Sequence, residues 1–122
     1  MVADDNTPEL YLSVAKAMGQ LKLLYVHLVD HSSMGAPHPT DGLFARIKEA
    51  FGGSIILTGG QTADTAEAIL KEHRADLVAF GRPMLANPNL VDKFRRGAPL
   101  NPVDFSTAYT PGPKGYIDYP AN

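Results

Sequence analysis

Short apolar runs alternate along the chain with stretches whose apolar residues return every three or four positions. Leu10, Val14, Ala17 and Met18 recur at helical spacing behind Thr7-Pro8, a cap and first-turn pair, and the pattern ends near Gly19. "LLYVHLV", residues 23–29, is an unbroken apolar run of the kind that predicts a strand buried on both faces. After the loop "DHSSMGAPHPT", Thr40 or Asp41 is placed to cap a helix whose Phe44, Ile47 and Phe51 form one stripe, stopped by Gly52-Gly53. "SIIL" (54–57) is the second strand, and Thr62 caps a helix carrying Ala66, Ile69 and Leu70. "LVAF" (77–80) is the third strand, and Asn87-Pro88 opens a helix with Leu90, Val91 and Phe94 inward, ended by Gly97.

The order helix, strand, helix, strand, helix, strand, helix predicts right-handed parallel β-α-β units and an α/β fold. Residues 1–97 form this part. Residues 98–122, "APLNPVDFSTAYTPGPKGYIDYPAN", have no periodicity, but Phe105, Tyr109, Tyr116 and Tyr119 are too many aromatics for a disordered linker. They read as an ordered tail laid over the domain.

Composition narrows the picture. A chain of 122 residues with 44% hydrophobic and 20% charged residues is an ordinary globular domain. Its formal net charge of -2 argues against a nucleic-acid or anionic-membrane surface. With no cysteine, disulfides, thiolate metal sites and a cysteine nucleophile are excluded. No apolar run reaches the roughly 20 residues of a membrane span, and the acidic start "MVADDNTPEL" does not read as a targeting peptide. The expected location is the cytoplasm.

Candidate chemistry lies where the strands end. In parallel β-α architectures ligands sit at the carboxyl ends of the strands. Gly59 and Gly60 follow the second strand and precede the helix capped by Thr62. A backbone without Cβ lets a ligand approach, and N–H groups near a helix start suit an anion. Gly81-Arg82 repeats the device after the third strand and adds a guanidinium able to grip phosphate with a bidentate fork. Two such turns on neighbouring strands predict a phosphate cup. A glycine after a strand is often only a turn, and a lone strand-end arginine is more often a surface ion pair; it is the pair of turns at successive strand ends that favours phosphate.

"SIILTGGQTADTAEAIL", "ADLVAFGRPMLANPNLVDKF", "APLN" and "GYIDYP", in this order, closely resemble the C-terminal part of the Old Yellow Enzyme family, FMN-dependent ene-reductases. "AYTPGPKGYIDYP" resembles the oxophytodienoate reductase type in particular, and the resemblance runs from about Asp5 to Pro120. It implies the C-terminal portion, about strands 6 to 8 with flanking helices, of a (β/α)8 TIM barrel with FMN at its mouth. In the family NAD(P)H reduces the flavin, which then reduces the activated C=C bond of an α,β-unsaturated carbonyl substrate. By position, Gly59, Gly60 and Gln61 fall where the family binds FMN, and Gly81 and Arg82 fall on its flavin-phosphate pair. Tyr109 matches a tyrosine lining the substrate face of the flavin, and Met34 is placed to edge that pocket.

The family's catalytic groups match nothing in this chain. The histidine-containing pair that binds the substrate carbonyl, the tyrosine proton donor and the arginine near flavin N1 belong to earlier strands. His27 reads as a core residue, His31 and His38 as loop residues, and His73 as a solvated residue near a helix end; no spacing suggests a metal. Three parallel strands also leave two edges unpaired and one face bare. The chain is therefore expected either to work with a complementary N-terminal barrel half or to be a non-catalytic fragment that self-associates through its open edges.

Overall fold

The computed structural model describes residues 6–122; the first residues of the chain, Asp5 at the start of the family resemblance included, lie outside the described part. The elements run α1 (Thr7–Gln20), β1 (Tyr25–Val29), α2 (Leu43–Phe51), β2 (Ser54–Thr58), α3 (Ala63–Lys71), β3 (Leu77–Ala79), α4 (Arg82–Ala86) and α5 (Leu90–Arg96), with one 3-10 turn at Ser32–Met34. They group into two compact units, one ending at Ala79 and the other Phe80–Asn122. No helix among the described residues is long and apolar enough to cross a membrane.

The first unit is built on a parallel sheet of order β1-β2-β3. Val26 lies beside Ile55 and Leu28 beside Leu57, while Leu57 pairs with Val78. Because side chains alternate along a strand, this register gathers Val26, Leu28, Ile55 and Leu57 on one face. That face is buried in a common core with Ala15 of α1, Leu43, Ile47 and Phe51 of α2, and Ile69 of α3. The helices thus cover one side of the sheet.

The other side is more open, though Ile56, Thr58 and Ala79 on it are half-buried. Tyr25, Val29 and Leu77 on it are 53%, 50% and 55% exposed. The apolar run 23–29 therefore does not make a strand buried on both faces; its burial alternates along β1. His27 shares the open face and is exposed, not a core residue.

Other expectations shift for equally local reasons. Asn6 occupies the cap position of α1, with Pro8 in its first turn. The inward side of α1 is Leu12, Ala15 and Met18, while Leu10 and Val14 of the expected stripe stay exposed. Two apolar stripes coexist on this helix, and the one through Leu12, Ala15 and Met18 joins the core with α2. Gly42, in the left-handed region, holds the cap position of α2 without a side-chain cap, so neither Thr40 nor Asp41 caps it. Leu43, Ile47 and Phe51 are its buried stripe, with Phe44 half-buried beside them. Thr62 does cap α3: its Oγ1 accepts from Thr65 N at 3.2 Å while Thr65 Oγ1 accepts from Thr62 N at 2.8 Å. Ala66 and Ile69 point inward and Leu70 is exposed.

A polar clamp closes the amino end of this sheet. Asp76 Oδ2 accepts from Lys48 Nζ and from Ile55 N, both at 2.8 Å. It ties α2 and β2 to the residue preceding β3. The Lys48 side-chain hydrogen bond, aided by the Ile55 N–H, holds the Asp76 carboxyl below its ordinary value.

In the second unit, Phe80 lies outside β3 and packs edge-on against Phe94 at 5.1 Å between ring centroids. The residues after Gly81 form a short helix, α4, where the sequence suggested only a turn. On α5 Leu90 is buried as expected, but Val91 is exposed and Lys93 takes an inward place at 1% exposure.

Candidate functional site

The turn after β2 is shaped by two glycines in the left-handed region, Gly59 at φ +125° and Gly60 at φ +62°. A Cβ on Gly59 would overlap the carbonyl oxygen of Asp30, and one on Gly60 would come within 2.6 Å of Ser33 Cβ. The turn therefore lies tightly on the loop after β1, which is itself fixed: Asp30 N donates to Thr58 O, and Ser32 N donates to Asp30 Oδ1, both at 2.8 Å. Gln61 Nε2 donates back to Gly59 O at 2.8 Å, and Thr58 Oγ1 donates to Ala79 O at 2.7 Å, locking the ends of β2 and β3 together. Bare backbone followed by a capped helix start is a surface an oxyanion can approach.

In the second unit Arg82 is the first residue of α4, with Gly81 at the cap position and no side-chain capping bond. The half-buried Arg82 side chain has two neighbours of note. Its Nε donates to Tyr109 OH at 3.1 Å, and its guanidinium carbon lies 5.2 Å from the centroid of the Phe105 ring. Among the described residues no carboxylate pairs with it, in contrast to Lys48, Lys71, Arg74 and Arg95. A guanidinium with these neutral neighbours has both Nη groups left for an anion.

Behind Arg82 lies a buried polar knot. Asn87, fully buried, donates from Nδ2 to Pro83 O at 2.9 Å and Asn101 O at 3.2 Å. Its Oδ1 accepts from Asn101 N at 2.7 Å and Lys93 Nζ at 2.9 Å. Asn101 Nδ2 in turn donates to Ala86 O and Pro120 O, both at 2.9 Å. The tail is braced further by Asp104, whose N donates to Tyr119 OH at 2.9 Å and whose Oδ1 accepts from Ser106 Oγ at 2.6 Å. That hydroxyl holds the Asp104 carboxyl below its ordinary value.

Of the residues singled out in the sequence, Gly59, Gly60 and Gln61 share one turn of the first unit, while Gly81, Arg82 and Tyr109 belong to the second. Met34 closes the 3-10 turn after β1 and is exposed. The carboxyl end of β1, the loop 31–40 and the first turns of α1 and α2 enclose a cavity of about 700 Å³ that includes His27, His31 and His38. No group of three His, Asp or Glu among the described residues is arranged to hold a metal. Phe105 and the Asn87–Lys93–Asn101 knot were not foreseen. The only signal for Phe105 was an aromatic four residues before Tyr109, and a lysine on an amphipathic helix reads as surface.

Residues 10–101 match the model of the NADH:flavin oxidoreductase / NADH oxidase family. The chain is 36% identical to 12-oxophytodienoate reductase 2 of Arabidopsis thaliana, over 99% of this chain and 33% of that protein. It is 38% identical to a 12-oxophytodienoate reductase-like protein of Solanum lycopersicum, over 96% of this chain and 32% of the relative. Among solved structures, morphinone reductase superposes with a TM-score of 0.89 at 36% identity, covering 97% of this chain and 32% of its own. The old yellow enzyme homologue from Zymomonas mobilis gives 0.87 at 30% identity, covering 97% and 34%. The chain thus spans about a third of the length of these proteins. The match across residues 10–101, which carries both glycine turns, Arg82 and Asn101, means that this chain belongs to the NADH:flavin oxidoreductase / NADH oxidase family.

Proposed function

We propose that this chain is the flavin-phosphate-binding, C-terminal portion of an FMN-dependent ene-reductase, supplying the last three β-α units of a (β/α)8 barrel. The observation that carries the reading is Arg82: a half-buried guanidinium just after a parallel strand, hydrogen-bonded to a neutral phenol and paired with no carboxylate among the described residues. Its donor set fits a phosphate monoester. In the first unit, the N–H groups that open α3 just after Gly59 and Gly60 suit an anion as well.

In this reading Gly59, Gly60, Gln61, Gly81 and Arg82 hold FMN, and Tyr109 and Met34 face the substrate. Bound FMN would supply the redox chemistry, accepting hydride from NAD(P)H and delivering it to an α,β-unsaturated carbonyl compound. This chain's own residues bind and orient; the acid and the carbonyl-binding pair come from polypeptide outside these residues. The one-sided sheet supports this, because the inner face of a barrel strand is covered only by the rest of the barrel.

The same open face favours a second reading, a non-catalytic fragment that associates with copies of itself through Tyr25, Val29, Leu77 and the free edges of β1 and β3. The two separate in one experiment. The purified chain is incubated with FMN and desalted, and its visible spectrum is recorded beside that of Arg82→Ala. Flavin retained by the parent and lost, by about ten-fold or more in affinity, in the variant supports the flavin reading. Equal retention in both, or a flavin-free oligomer, overturns it for this chain.

A further inference from the structure

Arg82 and the tail form a closed circuit. Arg82 opens α4, and Asn87 lies just beyond its end. Asn87 is tied through Oδ1 and Nδ2 to the backbone of Asn101. From Asn101 the chain passes Asp104, where the turn bonds Thr107 N to Asp104 O at 3.2 Å and Ala108 N to Asp104 O at 3.0 Å fix the backbone between Phe105 and Tyr109. Those two side chains then return to the guanidinium at the start of the helix. Phe105 and Tyr109 are themselves 62% and 73% exposed. Their placement is therefore not explained by the burial of two rings in a core. What they contact is the cation.

We propose that Phe105 and Tyr109 are positioning residues for Arg82, holding its guanidinium so that the two Nη groups face the phosphate of the flavin. The proposal rests on the reading that Arg82 holds this phosphate. An arginine has five N–H donors in a rigid fork. Tyr109 OH takes the one on Nε, which fixes rotation about the end of the side chain, and Phe105 lies against the cation without using any donor. The Nη donors stay uncommitted. A free arginine side chain must give up much of its rotamer freedom to bind; one already held loses less on meeting its anion.

The test compares FMN with riboflavin, which has the same ring system without the phosphate. Affinities for both are measured by flavin fluorescence on the parent chain, Arg82→Ala, Tyr109→Phe and Phe105→Leu. The parent should prefer FMN, and Arg82→Ala should abolish that preference. Phe105→Leu should reduce it by roughly three- to ten-fold with riboflavin affinity unchanged, and Tyr109→Phe, whose ring stays in place beside the flavin, should lower FMN affinity by a similar factor more than it lowers riboflavin affinity. A merely structural role would weaken both ligands together. If Arg82→Ala abolishes the preference while the two aromatic variants keep the parent's ratio, the positioning role is overturned and the phosphate reading stands.

If Arg82→Ala changes nothing, or if the parent binds neither flavin, the phosphate reading fails, and nitrogen NMR decides the clamp by itself. The Arg82 Nε–H signal, identified by its absence in Arg82→Ala, should exchange with water several-fold more slowly than that of exposed Arg46. The difference should vanish in Tyr109→Phe; equal exchange in parent and variant overturns the clamp.

Discussion

Lys93 Nζ donates to Asn87 Oδ1 across 2.9 Å, and both side chains are withdrawn from solvent. A cation whose sole hydrogen-bond acceptor among the described residues is a neutral amide is an unequal partner. Asn87 also serves Pro83 and Asn101, so removing it strands several groups at once. Removing Lys93 leaves Asn87 Oδ1 still satisfied by Asn101 N. Asn87→Ala should therefore cost about 3 kcal/mol or more, and Lys93→Met less than about 1 kcal/mol. Urea unfolding of both variants checks this; the reverse order would mean that the lysine, not the amide, organises the knot.

The glycines of the two turns should respond unequally to a methyl group. At Gly59 the positive φ and the Asp30 carbonyl both resist a Cβ, so Gly59→Ala should cost about 2 kcal/mol with or without flavin. Gly81 has a negative φ, and a Cβ there meets nothing within 4 Å. Gly81→Ala should cost no more than about 1 kcal/mol, the usual effect of replacing a cap glycine. If FMN is approached by this backbone, the same variant loses flavin; retention at the parent's level would remove Gly81 from the proposed site.

These positions also mark how far the sequence carries. The strand-end glycines and Thr62 were legible because their signals are local: a turn, a cap, a break in an apolar run. The three strands were legible for the same reason. The open sheet face was not, since "LLYVHLV" has the same composition whether one face or two are covered. The buried side of α1 was hidden by two competing apolar stripes. Lys93 could not be read as buried, because its acceptor belongs to another segment. The contacts of Arg82 with Phe105 and Tyr109 depend on chain more than twenty residues away, beyond the reach of periodicity or capping.

Acid should loosen the first unit through Asp76. Its pKa is lowered in the folded chain, chiefly by the Lys48 hydrogen bond. The bond contributes stability above the unfolded value, near 3.8, and loses it as pH falls through the lower folded value. The side chain is 46% exposed, so the contribution is small, about 0.5–1 kcal/mol at neutral pH. Asp76→Asn should show that deficit at pH 7 and match the parent at the acid end of the window. A difference that stays constant over this range would show that lost packing, and not the charge, is responsible.

The open face of the sheet sets the behaviour of these residues on their own. Tyr25, Val29 and Leu77 are each about half exposed, and the register places them on the side opposite the core. β1 and β3 each pair on one side only, leaving hydrogen-bonding edges flanked by apolar side chains. Both features favour association. Sedimentation velocity of the 122-residue chain should give a mass above the 13.1 kDa of a monomer, increasing with concentration. Val29→Lys with Leu77→Lys should shift the mass toward that of the monomer with unchanged far-ultraviolet dichroism, because neither side chain contributes to the core. Adding a polypeptide with the remaining barrel strands should compete with self-association, since it would cover the same face. A monomeric parent at high concentration would show that the exposed face is too small to drive assembly alone.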